Sequence, residues 1–325
     1  MEQRERRERR DQSRRRTERQ RRTVLTAAGL GALLLAVVLA LASLSGGSKK
    51  GDRGTEGTAP PPSELPRGGR SIFPESRVIA FYGTPEDEEL GVLGIGPPAS
   101  IAGKLERQAR PYAEGPGARP ILPAFELIAV VANASGGHDG KFRTRLEPDT
   151  IRRYLGAARR ARALLILDVQ PGRADFLEEL AALEPFLARP DVSLALDPEW
   201  QMGEGEVPGQ TIGSMTADEV NAVSARLSDI VRRGRLPEKL LVVHQFTKDM
   251  IEGRERLRRY PGVELVLNVD GFGDRTVKVA KYDEFVSGRD PARHGFKLFY
   301  REDANLMGPR DVLGLRPPPE FVVYE

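Results

Sequence analysis

Short apolar runs recur along residues 75–325, and most of them are separated by segments of helix length. Runs that are apolar throughout, rather than alternating with polar residues, are typical of parallel strands buried on both faces. The pattern therefore predicts a parallel sheet with helices packed outside it. Eight runs have the length of a strand: 77–83, 125–132, 163–169, 192–196, 240–243, 263–269, 295–300 and 321–324.

Helical patterns fill most of the intervals between these runs. Pro148 suits the first turn of a helix, and Thr216 with Glu219 forms a capping-box pattern before an apolar stripe. Further helices are predicted over about 101–112, 176–188 and 248–259. The alternation and the count of eight strands favour an α/β fold, a closed (β/α)8 TIM-like barrel. A doubly wound open sheet is the alternative.

The chain before residue 75 differs in character from the rest. Residues 24–44 contain no charged side chain, and arginines crowd the preceding segment up to Arg22. About 20 apolar residues span a bilayer, and flanking positive charge marks the cytoplasmic side. We predict a retained transmembrane signal anchor at 23–44. A cleaved signal peptide is the alternative, because Ala40 and Ala42 resemble a cleavage site.

This anchor divides the chain into four predicted regions. Residues 1–22 form a basic cytoplasmic tail, and residues 45–74, rich in Gly, Ser, Pro and charge, form a flexible linker. Residues 75–325 form an extracytoplasmic barrel. The predicted location is therefore the cell membrane, crossed once, with the N-terminus in the cytoplasm.

Charge and cysteine content exclude several classes of protein. The net charge is +3, yet residues 1–22 carry eleven arginines and five acids, an excess of +6, so the remainder is near −3. The basic pI thus belongs to the tail, and we expect no nucleic-acid partner. The chain has no cysteine, which excludes disulfides and thiolate metal sites.

Polar side chains follow most of the predicted strands. In a barrel of parallel strands, the carboxyl ends of the strands form the active site. Strands also lose apolar character simply because they reach solvent there, so position alone does not establish function. The residues in question are Tyr82, Asn133, Asp168, Gln170, Asp197, Glu199, Trp200, His244, Gln245, Asn268, Asp270 and Tyr300.

The stretch 192–200 carries the sharpest chemistry among these ends. Asp197 and Glu199 are two residues apart, so an extended backbone would direct both carboxylates to one face. In a partly apolar pocket Glu199 would act as a general acid, and Asp197 would orient a substrate group. Asp168 or Asp270 would supply a second carboxylate. The predicted catalytic residues are therefore Glu199, Asp197, Asp168 and Asp270.

The other polar strand ends are predicted to bind substrate. Trp200 is the single tryptophan and suits stacking on a sugar ring, although tryptophans also serve as packing residues. His244 would be a general base, a hydrogen-bond donor or a structural residue. The predicted substrate-binding residues are Trp200, His244, Gln170, Gln245, Asn268, Tyr82 and Tyr300.

Familiar cofactor motifs do not occur in the sequence. The three histidines form neither an H-x-H nor an H-E-x-x-H pattern, and the glycine-rich segment 91–96 lacks a dinucleotide or phosphate-loop signature. A G-x-S-x-G elbow does not occur either. We therefore predict neither cofactor nor metal, although a calcium or magnesium ion held by carboxylates stays open.

Asp197-Pro198-Glu199 on the fourth predicted strand resembles the D-x-E of glycoside-hydrolase barrels, among them chitinase-like enzymes and lysozyme-like muramidases. The resemblance implies that Glu199 is the acid and that Asp197 positions a substrate acetamido group. Two features depart from those patterns. Ser193, Leu194 and Ala195 stand where chitinase-like enzymes carry further aspartates, and the first strand ends Phe81-Tyr82-Gly83 without the aspartate of muramidases.

The sequence thus leads to two hypotheses. In the first, a membrane-anchored glycosidase hydrolyses a cell-wall or surface polysaccharide by carboxylate acid–base catalysis. In the second, an inactive barrel binds envelope glycans or proteins. The expected partners are a carbohydrate polymer and the membrane.

Overall fold

The computed structural model describes residues 62–114, 118–288 and 290–325. Its strands, numbered along the chain, are β1 (Arg77–Gly83), β2 (Ile121–Ala132), β3 (Arg143–Arg145), β4 (Leu164–Val169), β5 (Val192–Leu196), β6 (Met215–Thr216), β7 (Lys239–Gln245), β8 (Ile251–Glu252), β9 (Val263–Val269), β10 (Arg293–Leu298) and β11 (Phe321–Tyr324). Eight of them pair in parallel in the order β1-β2-β4-β5-β7-β9-β10-β11, and β11 pairs with β1. The sheet therefore closes, which confirms the predicted TIM-like barrel.

Helices connect most of the barrel strands and pack against the outer face of the sheet. Their bounds are α1 (Pro98–Ala109), α2 (Pro148–Arg160), α3 (Phe176–Leu187), α4 (Ala217–Gly234), α5 (Arg275–Val286) and α6 (Pro309–Leu313). Helix α4 begins with the predicted capping box, in which Thr216 and Glu219 satisfy each other's backbone amides. Three short strands lie outside the barrel: β3 pairs antiparallel with β2, and β6 pairs with β8.

The barrel strands direct alternate side chains inward and outward. Outward side chains join the core beneath the helices, and inward ones such as Val78, Leu122, Ile166, Val242 and Val323 form a second apolar cluster inside the barrel. Both faces of each strand are thus buried. This double burial is why the strands appear in the sequence as continuous apolar runs rather than as alternating patterns.

The folded part begins before residue 75, inside the segment that we predicted to be a linker. Leu65, Ile72 and Phe73 are buried in the cluster that fills the barrel interior. The amide of Ile72 donates to Glu238 Oε2 at 2.7 Å, immediately before β7. These contacts place the segment at the amino-terminal ends of the strands. Its three apolar residues are too dispersed in the sequence to form a periodic pattern.

We expect Ile72→Ala to lower the free energy of unfolding by about 2–5 kcal/mol, because it leaves a cavity under the barrel. Ile72 is fully buried, whereas Ile95 is 38% exposed and provides a matched control. Urea unfolding of the full-length chain measures both variants. Equal and small losses at the two positions would contradict a structural role for the segment around Ile72.

Two intervals differ from the predicted helices. Residues 246–262 connect β7 to β9 without the helix expected over 248–259, forming β8 and a 3-10 turn at Arg254–Arg256 instead. Gly253 adopts a left-handed conformation there (φ 69°), which interrupts a right-handed helix. Conversely, α5 was not predicted. Its inward face includes Lys278, which ion-pairs with Asp303 at 2.8 Å, so its apolar stripe is broken.

No helix in the described part of the chain is long and apolar enough to cross a membrane. The predicted anchor at 23–44 and the basic tail at 1–22 lie outside the described residues, as do residues 45–61 of the predicted linker.

Candidate functional site

A layer of polar side chains occupies the barrel interior above its apolar cluster, at the carboxyl ends of the strands. Every one of the eight barrel strands contributes to this polar layer, either within the strand or in the first residue after it. The members are Tyr82, Glu126, Asp168, Asp197, His244, Asn268, Asp270, Lys297 and Glu325, and all but Glu325 are buried. Such a concentration of ionisable groups is costly in a barrel core, and perturbed ionisable groups of this kind are characteristic of functional sites.

A cavity of about 410 Å³ opens above the polar layer. Carboxylates line its floor and wall, and apolar side chains line its mouth. Phe272 and Ile212 at this mouth are 58% and 56% exposed. The cavity is bordered by Tyr82, Gln170, Asp197, Glu199, Trp200, Phe246, Asp270, Phe272, Lys297, Phe299, Glu302 and Glu325, together with Leu90, Ile128 and residues 209–212.

Glu199 reaches the cavity from a turn rather than from an extended strand. Strand β5 ends at Leu196, and Pro198–Trp200 form a 3-10 turn. The same-face argument for Asp197 and Glu199 therefore does not hold, because proline begins the turn directly after Asp197. Both carboxylates nevertheless line the cavity. The turn is tied to the following loop by Gly213, whose amide donates to the Glu199 carbonyl at 2.7 Å.

Burial and, to a lesser extent, the neighbouring Asp270 carboxylate raise the pKa of Glu199 to about 7, although Lys297 and His244 act in the opposite direction. Asp197 is fully buried, and burial together with the charge of Glu199 raises its pKa well above the ordinary value. Near neutral pH, Glu199 can therefore hold a proton and release it at the cavity surface.

Asp270 is the carboxylate most strongly held in its ionised form. Burial opposes ionisation, but Lys297 and His244 lower the pKa of Asp270. Lys297 Nζ lies 3.1 Å from Asp270 Oδ2 and 2.7 Å from Glu325 Oε2, and it sits 3.9 Å from the centre of the Tyr82 ring. Because Lys297 is 4% exposed, its ammonium depends on these partners for solvation.

Asp168 lies beneath the cavity rather than on its surface. The Tyr82 hydroxyl donates to Asp168 Oδ2 at 3.0 Å and lies 3.5 Å from Asp197 Oδ2. Burial raises the pKa of Asp168 to about 6, partly offset by His244. Gln170 lines the cavity, where its amide donates to the Tyr82 hydroxyl at 3.4 Å and accepts from the Ala132 amide.

His244 is fully enclosed below the same cavity. Its Nδ1 lies 3.1 Å from Asp270 Oδ2, and its Nε2 lies 3.0 Å from Glu126 Oε1. Asn268 Nδ2 lies 3.3 Å from the same Nδ1. His244 and Asn268 therefore support the floor of the cavity and do not line it.

Two of the predicted substrate-binding residues lie away from the cavity. Gln245 follows His244 on β7 and points to the opposite side, where it bonds the Lys248 carbonyl and accepts from Arg254. The ring of Tyr300 stacks on Tyr324, and its hydroxyl donates to Gln108 on α1. Asn133, also a strand end, bonds Thr144 in the β2–β3 hairpin.

Three members of the polar layer were not among the predicted site residues: Glu126, Lys297 and Glu325. Glu126 lies inside a strand that is otherwise apolar, and Lys297 lies within the predicted apolar run 295–300; an isolated charge in such a run is the sequence signal that could have identified them. Glu325 follows the last strand directly, as Asp197 follows β5.

A closed barrel of eight parallel strands, with helices outside and a cavity at the carboxyl ends of the strands, defines a TIM-like barrel protein. Searches against protein-family models and curated proteins find no match for this chain. Because one fold supports many reactions, its function has to be argued from the chemistry of the cavity.

Proposed function

We propose that this chain is a membrane-anchored, extracytoplasmic glycoside hydrolase that acts on a cell-wall or surface polysaccharide. The observation that carries this proposal is the position of Glu199. Its carboxyl group has a pKa raised to about 7 and borders a cavity that Asp197 and Asp270 also line. Glycosidases need one protonated and one ionised carboxyl group beside the scissile bond.

The roles follow from where each carboxyl group lies. Glu199 protonates the leaving glycosidic oxygen. Asp270, ion-paired to Lys297, is the second carboxylate, because it lines the cavity whereas Asp168 is sealed below Tyr82. Asp197 orients the substrate beside Glu199. Trp200, with Phe246 and Phe272, provides apolar rings at the mouth on which sugar rings can stack.

The direct test is release of reducing ends by the purified full-length chain from peptidoglycan and from chitin-type oligosaccharides. Turnover of either polymer supports the proposal. Saturable glycan binding without turnover favours the second candidate, a non-catalytic envelope glycan-binding barrel, for which the exposed Phe272 and Ile212 at the cavity mouth are the favouring observation. If the chain neither binds nor hydrolyses these glycans, that result would contradict both candidate functions.

We expect kcat/KM for hydrolysis to fall as the pH rises, with the midpoint of the fall near the pKa of Glu199. The general acid must be protonated, and the pKa of Glu199 is about 7, so kcat/KM should fall about tenfold for each pH unit above that value. A pH profile of reducing-end release measures this. A profile that stays flat well above neutral pH would contradict the role of Glu199 as the acid.

A further inference from the structure

Three side chains from three barrel strands converge beneath the cavity. They are Glu126 on β2, Asp168 on β4 and His244 on β7. One ligand atom from each lies within 4.8 Å of the others, and all three side chains are buried, with at most 1% exposed. The closed barrel thus brings together residues that are 42 and 76 positions apart along the chain.

Two of the oxygens in this cluster have unmet bonding capacity. Among the residues that the structure describes, Glu126 Oε2 and Asp168 Oδ1 have no hydrogen-bond partner. A carboxylate oxygen buried without a donor carries a large desolvation penalty. A cation between the two side chains would satisfy both oxygens at once.

The charge of the surrounding layer also favours a cation. Six carboxyl groups lie in or against the polar layer, and within the described part of the chain the basic side chains of that layer are His244 and Lys297, with Lys281 outside it at the Asp270 carbonyl. His244 and Lys297 together cannot balance the six when these are ionised, and an uncompensated buried charge is strongly destabilising. The six carboxyl groups belong to Glu126, Asp168, Asp197, Glu199, Asp270 and Glu325.

The orientation of His244 matches that of a metal ligand. Metal-binding histidines usually donate their other ring nitrogen to a carboxylate, and Nδ1 of His244 lies 3.1 Å from Asp270 Oδ2. Its Nε2 lies at hydrogen-bond distance from Glu126 Oε1, 3.0 Å away, so a bound ion would displace the proton shared by this pair. Adjacent ligands on an octahedral ion with bonds of about 2.1 Å lie roughly 3.0 Å apart, so this pair has the required spacing.

We propose that Glu126, Asp168 and His244 bind a divalent transition-metal ion, with Asp270 orienting the histidine. A mixed set of one imidazole and two carboxylates suits Mn²⁺ or Zn²⁺ better than Mg²⁺ or Ca²⁺, which prefer oxygen ligands alone. The site lies under the floor of the cavity, and the proposal does not depend on the glycosidase activity.

The test uses the full-length chain, stripped of metal with a chelator and dialysed, to which Mn²⁺, Zn²⁺, Mg²⁺ or Ca²⁺ is added. We expect Mn²⁺ and Zn²⁺ to raise the unfolding temperature by about 5 °C or more at 100 times the dissociation constant. Asp168→Asn should abolish that shift. Glu302→Gln, at an exposed position on the cavity rim, should retain it.

A spectroscopic measurement covers the case in which Asp168→Asn does not fold. Pulsed electron paramagnetic resonance of the Mn²⁺-loaded chain should show coupling to an imidazole nitrogen. The chain has three histidines, so the coupling should persist in His138→Gln, which alters an exposed loop residue, and in His294→Gln. The proposal is overturned by Mn²⁺ without nitrogen coupling, by a shift that Asp168→Asn retains, or by failure of both metals to bind.

Discussion

Replacing Glu199 by Gln is expected to reduce kcat/KM for polysaccharide hydrolysis by a factor of about 10²–10⁴, the usual contribution of a general acid. The amide keeps the size of the side chain but has no proton to give to the leaving oxygen. Glu199 borders the cavity beside Asp197 and Asp270, so the change removes the acid and leaves the second carboxylate in place. Reducing-end release at several substrate concentrations measures the loss.

This variant should fold as well as the unsubstituted chain. Burial raises the pKa of Glu199 to about 7, which means that the folded state disfavours its ionised form. The ionised side chain therefore destabilises the fold increasingly as the pH rises from the unfolded-state pKa through 7, and a neutral amide removes that penalty. Glu114→Gln makes the same chemical change at an exposed position before β2, outside the residues that line the cavity, and should retain activity. Equal activity in the two variants would exclude Glu199 as the acid.

Lys297→Met is expected to lower the free energy of unfolding by about 3–5 kcal/mol, the usual cost of removing one partner from a buried ion pair. Methionine fills a similar volume, but the change leaves Asp270 and Glu325 without the ammonium that lies 3.1 and 2.7 Å away. It also removes the cation above the Tyr82 ring. Urea unfolding at neutral pH measures the loss.

Two further variants separate charge from packing in this prediction. Lys104→Met makes the same substitution at an exposed position on α1 and should change stability little. Adding Asp270→Asn to Lys297→Met removes one of the stranded carboxylates and should restore part of the lost stability. A double variant as unstable as the sum of both single changes would show that packing, not charge, explains the effect.

The barrel was predictable because its strands carry a local signal. Most are largely apolar, and four of the eight, 77–83, 192–196, 263–269 and 321–324, were predicted with the bounds that the structure shows. Helix α5 and the interval 248–259 were not predicted correctly. In α5 the buried Lys278, paired with Asp303, breaks the apolar stripe, and in the interval the left-handed Gly253 interrupts the helical pattern.

The candidate site was predictable only in part, for a similar reason. Residues that end a strand, such as Asp197, Glu199 and Asp270, could be identified from the change of polarity along the chain. Glu126 and Lys297 lie within strands, and the sequence does not show that these strands place them beside His244 and Asp270. Closure of the barrel decides those pairs.

The sequence by itself determined which segments become strands and where each strand changes from apolar to polar, because these depend on side-chain periodicity over a few residues. It did not determine which carboxylates meet or which of them keep a proton. Those properties depend on burial and on charges that come from strands far apart in the chain. Asp168 and Asp270 could both be predicted as polar residues at strand ends. In the fold, however, Asp168 is buried beneath Tyr82, whereas Asp270 pairs with Lys297 at the cavity surface.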